Sequence, residues 1–190
     1  MAERYVLRSW GRTNQPRGVV PIATAPRAVI QMDTVIFGEV FAFTGVDIST
    51  KEAEGGLPLG LTSEEGAMFL RTAMTRRFTG LVRIVQTDGG PEFNGAFARQ
   101  VLHYYARHRI ARPYKKNEQA YIESFNRTLR KGYLGWTTYR VAELPAVQAE
   151  VRAFLARYQY HRSHLGLSPM RPPLSRNCVG QDGLSDIYGE

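Results

Sequence analysis

The stretch A-V-I-Q-M-D-T-V-I-F-G-E-V-F-A-F-T-G-V-D-I, residues 28–48, decides the fold. Its two apolar runs, 29–37 and 40–48, are short, rich in Val, Ile and Phe, and separated by only Gly38 and Glu39, as two adjacent strands joined by a tight turn require. One residue is out of place. Asp33 puts a carboxylate in the middle of the first run, which is costly unless the group is paired, hydrogen-bonded or bound to a cation.

Working outward, residues 54–61 read as a third strand, weakened by Gly55, Gly56, Pro58 and Gly60. Thr62 or Ser63 can cap a helix with Glu64 and Glu65 in its first turn and Ala67, Met68, Leu70, Ala73, Met74 and Phe78 as its apolar positions, and Gly80 ends it. Residues 81–86 form a strand that stops at T-D-G-G-P. Helical spacing through Phe93, Phe97, Val101, Leu102 and Tyr105 predicts a helix over 92–108, followed by a strand at 109–112. A polar loop at 114–119 leads to helices over 120–134 and 144–160. The order predicts an α/β domain with antiparallel strands first and helix-linked strands after. Residues 1–27, with Arg4, Arg8, Arg12, Arg17, Arg27 and three prolines, read as a basic arm or linker, 28–175 as the core, and 176–190 as a tail.

A chain of 190 residues suits one core. Its formal charge of +8 favours a polyanionic partner such as nucleic acid. Between residues 107 and 140 nine Lys and Arg face two acids, so nearly all of the excess sits in that segment. Cys178 stands alone, which excludes a disulfide framework and a Cys-rich zinc site. No apolar run approaches the roughly 20 residues of a membrane span, and residues 1–17 have no apolar signal core. A soluble protein of the cytoplasm, or the bacterial nucleoid, is expected.

Two further acids stand where chemistry is placed. Asp88 ends the strand before Gly89 and Gly90, at the carboxyl end of a sheet strand where α/β sites cluster. Glu123 lies in the first turn of an amphipathic helix after a basic loop. Each has an ordinary explanation: Asp33 as an edge-strand Asp, Asp88 as a turn residue, Glu123 as a complement to the helix dipole. Their surroundings change that reading. Q-T-D-G-G-P-E-F at 86–93, E-S-F-N-R-T-L-R-K at 123–131 and Y-Q-Y-H-R-S-H-L-G-L-S-P at 158–169 stand in one order, with 35 residues from Asp88 to Glu123. The set resembles the insertion-sequence transposases and retroviral integrases with an Asp, Asp, Glu triad, over about residues 28–173. Two positions depart from the family pattern, Gln159 in place of Asn and Ser163 in place of Pro, and no role is carried to them. The integrase zinc module has no counterpart, and residues 1–27 hold no helix-turn-helix, so sequence-specific end binding is expected to reside outside this chain.

The resemblance implies a ribonuclease H-like fold, a mixed five-stranded sheet flanked by helices, and a polynucleotidyl transferase that cleaves DNA 3′ ends and transfers strands during integration and recombination. It implies two Mg²⁺ or Mn²⁺ ions, with Asp33 bridging, Asp88 on one and Glu123 on the other; hard oxygen ligands suit such cations. Partners would be transposon ends, target DNA and further copies of the chain. Arg127 and Arg130 share the Glu123 face of the helix by i+4 and i+7 spacing, while Phe125 and Leu129 face the core. Together with Lys115, Lys116 and Lys131 they are the expected phosphate contacts. Glu92 reads as an N-terminal helix acid, and His103, His108, His161 and His164 are too scattered for a metal site. Two alternatives stay open: a hydrolytic ribonuclease H-like nuclease, and a non-catalytic DNA-binding remnant whose glycine-rich 54–60 stretch fails to build the sheet.

Overall fold

Val29–Phe37 forms strand β1 and Val40–Asp47 forms strand β2 of the computed structural model, which describes residues 21–112 and 116–160. The two are antiparallel, with Phe37 opposite Val40 and Ile30 opposite Asp47, so the expected hairpin is present. Strand β3 is Ala53–Gly56, shorter than the expected 54–61. It pairs antiparallel with β2 through four residues and ends just before Pro58, which has no amide proton to extend a ladder.

Thr62 caps helix α1 (Ser63–Arg76), its side chain accepting from the Glu65 amide at 3.2 Å. That helix buries Phe69, Leu70, Ala73 and Met74. Strand β4 is Ile84–Thr87 and runs parallel to β1, whereas the apolar pattern suggested 81–86. The single helix expected over 92–108 is three elements: a 3₁₀ turn at Pro91–Phe93, helix α2 at Gly95–His103 and the start of strand β5 at Arg107–Ile110. Tyr105, at φ 56°, reverses the chain between α2 and β5. The strand begins at Arg107 rather than 109 because pairing His108 with Val85 buries the imidazole, which packs edge-on to Phe97 at 5.3 Å. Helix α3 is Ala120–Leu129, and its last turn widens to a π turn over Arg130–Leu134 instead of continuing as α-helix. Helix α4, Leu144–Tyr160, has the expected bounds.

The sheet order is β3-β2-β1-β4-β5, a mixed five-stranded sheet flanked by helices, as the sequence leads one to expect. Alternation along β1 divides its residues between two cores. Val35 and Phe37 join Val40, Phe125, Leu129 and Val151 beneath α3 and α4. Ile30 and Met32 join Phe43, Leu70, Phe93 and Phe97 beneath α1 and α2. The glycine-rich stretch therefore does build a strand, seated between the two layers. Arg27, at the edge of the expected arm, is tied to the core: its guanidinium pairs with Asp47 at 2.8 Å and donates to the Arg77 carbonyl at 3.0 Å. Among the described residues, no helix is long and apolar enough to cross a membrane.

Candidate active site

Asp33 projects from the centre of β1 on the α3 side of the sheet, since Val35 and Phe37 on the same side meet Phe125 and Leu129. Its Oδ2 accepts from Asn126 Nδ2 at 2.8 Å. The Thr44 hydroxyl, on β2 opposite Asp33, donates to Asn126 Oδ1 at 2.8 Å. Asn126 is thus held from two strands while it holds Asp33. It stands three residues after Glu123, one helical turn along the same face, so this bond lays the first turn of α3 against β1.

Asp88 follows the last residue of β4. The parallel register pairs Gln31 with Gln86, and Asp33 and Asp88 come two residues after those partners on their respective chains. The Asp88 Oδ1 accepts from the Gly90 amide at 3.0 Å. Gly89 is demanded by this turn: φ is +86°, and a Cβ there would stand 2.7 Å from Ile110 Cγ2.

Burial pushes the Asp33 carboxyl up to about 6, and repulsion from Asp88 and Glu123 adds to it against hydrogen bonds from the Thr34 backbone and Asn126. The three acids are therefore close enough to disfavour one another's charge. Among the described residues, however, no three His, Cys, Asp or Glu side chains are gathered tightly enough to hold a metal ion as they stand. The donor set nonetheless fits a hard divalent cation. It consists of carboxylate oxygens; none of the three acids forms an ion pair with a described residue; and Asp88 and Glu123 are exposed, so their rotation is little hindered.

Glu92 stands in the first turn of the 3₁₀ helix Pro91–Phe93, as an N-terminal acid is expected to. It is buried in the turn before α2 and accepts from Thr34 Oγ1 at 2.8 Å. Thr34 and Asp33 point to opposite faces of β1, which keeps Glu92 apart from the acid group. Residues 116–119 are not a solvated loop: they form a 3₁₀ turn in which Glu118 is buried against Arg109 and Arg112. Burial works to raise the Glu118 carboxyl, but hydrogen bonds from the Arg112 backbone and both guanidinium groups outweigh it and hold it at about 2.

The expected phosphate contacts divide. Arg127 and Lys131 are exposed on α3 and the turn after it. Arg130 turns instead to the β1–β2 turn, where it donates to the Ile36 carbonyl at 2.8 Å and lies over the rings of Phe37 and Trp136. Lys115 and the side chain of Lys116 lie outside the described residues, as do His161 and His164. Sequence reasoning overlooked Asn126 and Thr44. The helical period alone could have found Asn126, because a polar residue one turn after Glu123 on the strand-facing side needs a partner.

Residues 104–173 match the family model of the integrase core domain. That segment is similar to an integrase core. The matched segment runs from β5 through α3, with Glu123, to α4 and beyond. Two solved structures extend the likeness in fold to the rest of this core. A chain of the simian T-cell lymphotropic virus intasome, solved in complex with PP2A regulatory subunit B56 gamma, superposes with a TM-score of 0.66 at 17% identity, covering 95% of this chain. The present chain spans 64% of the length of that intasome chain. The catalytic core domain of BIV integrase superposes with a TM-score of 0.58 at 17% identity, covering 74% of this chain and 88% of its own. Curated proteins return no match.

Proposed function

We propose that this integrase-type core cleaves DNA 3′ ends and joins them to target DNA, with Asp33, Asp88 and Glu123 as its catalytic acids. The observation that carries the reading is Asp33 on the central strand, held by a hydrogen bond from Asn126 of α3, its carboxyl raised by burial with the charges of Asp88 and Glu123 adding to it. A group of mutually repelling carboxylates gathered from two strands and a helix has little structural use, and a cation relieves the repulsion.

In the first reaction water attacks phosphorus and the bond to the 3′ oxygen breaks, leaving a 3′-hydroxyl and a 5′-phosphate. In the second, that hydroxyl attacks a target phosphodiester and displaces its 3′ oxygen, so one bond forms as one breaks. Two Mg²⁺ or Mn²⁺ ions, held by Asp33, Asp88 and Glu123, would supply charge neutralisation at the entering and leaving oxygens. Asn126 donates to one oxygen of Asp33 and orients the carboxylate. Arg127 and Lys131 bind phosphates beside the acids and hold the duplex without reading its sequence. Action as an assembly of several copies on two DNA ends belongs to the same proposal.

The test is nicking and strand transfer by the full-length protein with Mg²⁺ or Mn²⁺, wild type against Glu123→Gln. Gln keeps size and helix propensity while removing the charge that holds a cation. Both reactions should fall by more than about a hundredfold, the lower end of the range for losing one general acid–base or electrostatic group, with DNA binding retained. Equal rates in the two proteins would remove Glu123 from the site. Wild-type DNA binding with neither reaction would favour the non-catalytic remnant instead.

A further inference from the structure

Gln31 and Gln86 stand two residues before Asp33 and Asp88 and are register partners across the parallel pair β1 and β4. Both glutamines are buried, and both donate through Nε2 to one acceptor, the carbonyl of Glu118, at 2.7 and 2.5 Å. The Gln31 Oε1 then accepts from the Ile122 amide at 3.1 Å, one of the first free amides of α3. The side chain of Glu118 closes the arrangement from the other direction. Arg109 on β5 donates to Glu118 Oε2 and to Gln86 Oε1, each at 2.8 Å. Arg112 adds its backbone amide at 3.1 Å and its guanidinium to the same carboxylate.

Each of these side chains is engaged by a neighbour within the arrangement. What they share is location: two are tied to the strands bearing Asp33 and Asp88, and one is five residues ahead of Glu123. We propose that Gln31, Gln86, Arg109 and Glu118 are positioning residues, a buried clamp that fixes the first turn of α3, and with it Glu123, relative to Asp33 and Asp88. The proposal rests on the catalytic reading of those three acids. It makes Glu118 a fixed strut whose two oxygens are committed to Arg109 and Arg112, leaving neither for a cation. Neutral glutamines suit the place beside the acids, because they anchor the helix without adding charge to a group that already repels itself.

The clamp differs from ordinary packing in what its loss should change. With Gln31→Met or Gln86→Met in the full chain, length and volume are nearly kept and the donor is lost. Amide exchange at Ile122 and the rest of the first turn of α3 should speed up about tenfold or more, the scale of one lost buried hydrogen bond, while β1, β2 and α4 stay protected. Mn²⁺ binding, titrated directly, should weaken by about 10- to 100-fold, as on removing groups that orient a ligand. Glu118→Asp, which keeps the charge, should retain more of both than Glu118→Ala. Should Gln86→Met fail to fold, Gln31→Met reports on the same turn through the Ile122 bond. Unchanged exchange at Ile122 with unchanged Mn²⁺ binding in a folded glutamine variant overturns the clamp. Equal Mn²⁺ binding by wild type and Asp33→Asn would instead overturn the metal reading of the acids, and the exchange measurement would still decide the clamp.

Discussion

At the scale of single residues, His108 carries a pH signature that can be separated from the acids. It is buried on β5, its Nε2 lies 2.9 Å from Thr87 Oγ1, and its Nδ1 has no hydrogen-bond partner among the described residues. Burial lowers its pKa from 6.5 to about 4. The unfolded chain therefore takes up a proton over that window which the folded chain refuses, so this group's contribution to stability is full above pH 6.5 and is lost as pH falls towards 4. The loss amounts to about 3–4 kcal/mol at most, from about 1.4 kcal/mol per unit. Asp33 acts in the opposite sense: its raised carboxyl makes the folded chain hold a proton up to about pH 6, so its charge destabilises the fold increasingly as pH rises to that value. The difference between wild type and His108→Gln isolates the imidazole. Urea midpoints measured from pH 7 down to 4 should fall further in the wild type, and parallel curves would contradict the buried neutral ring.

Elements meet at positions where a hydrogen matters. Gly66 in α1 faces the turn before α2, and a Cβ there would stand 2.5 Å from the Glu92 carbonyl oxygen. Helix propensity alone makes Gly66→Ala stabilising by about 1 kcal/mol. The contact is with backbone, which cannot rotate away, and overpacking of this kind costs about 1–3 kcal/mol. A net loss of stability is the expected result in thermal or urea unfolding, and a gain would show that the turn can yield. The same junctions explain what could be read from the chain and what could not. Strands β1 and β2 were legible because apolar runs bounded by Gly38 need no partner to be recognised, and the proposal of Asp33, Asp88 and Glu123 as the acids came from motif and spacing. Strand β5 was legible from residue 109 on but its start at Arg107 was not, because R-H-R-I looks solvated until Glu118 arrives to neutralise Arg109. Glu118 and the two glutamines were hidden for the same reason: a buried polar residue is recognised by its partners, and these partners lie up to 91 residues away.

Over the whole molecule, charge and topology act together. The excess of +8 is concentrated around α3, but the cations there are not equivalent. Arg127→Ala should flatten the dependence of log K on log salt by about 0.9, the release of one counterion per phosphate contact, with little loss of stability. Arg130→Ala should do the reverse, costing about 1–2 kcal/mol of stability through its two ring contacts and its bond to Ile36 while moving the salt slope less. Equal slopes for both variants and wild type would take DNA off this face. The bond from Asn126 to Asp33 spans 93 residues of chain, and it has a consequence in time. The β1–β2 hairpin needs only near neighbours and can form early, whereas closing a loop of that length is among the slow steps of folding. On a ribosome, a chain halted before residue 120 already displays Asp33 and Asp88 but has neither Glu123 nor the asparagine that orients the first acid. The proposed DNA-cutting activity is therefore withheld from unfinished chains by the order of synthesis, without any inhibitor.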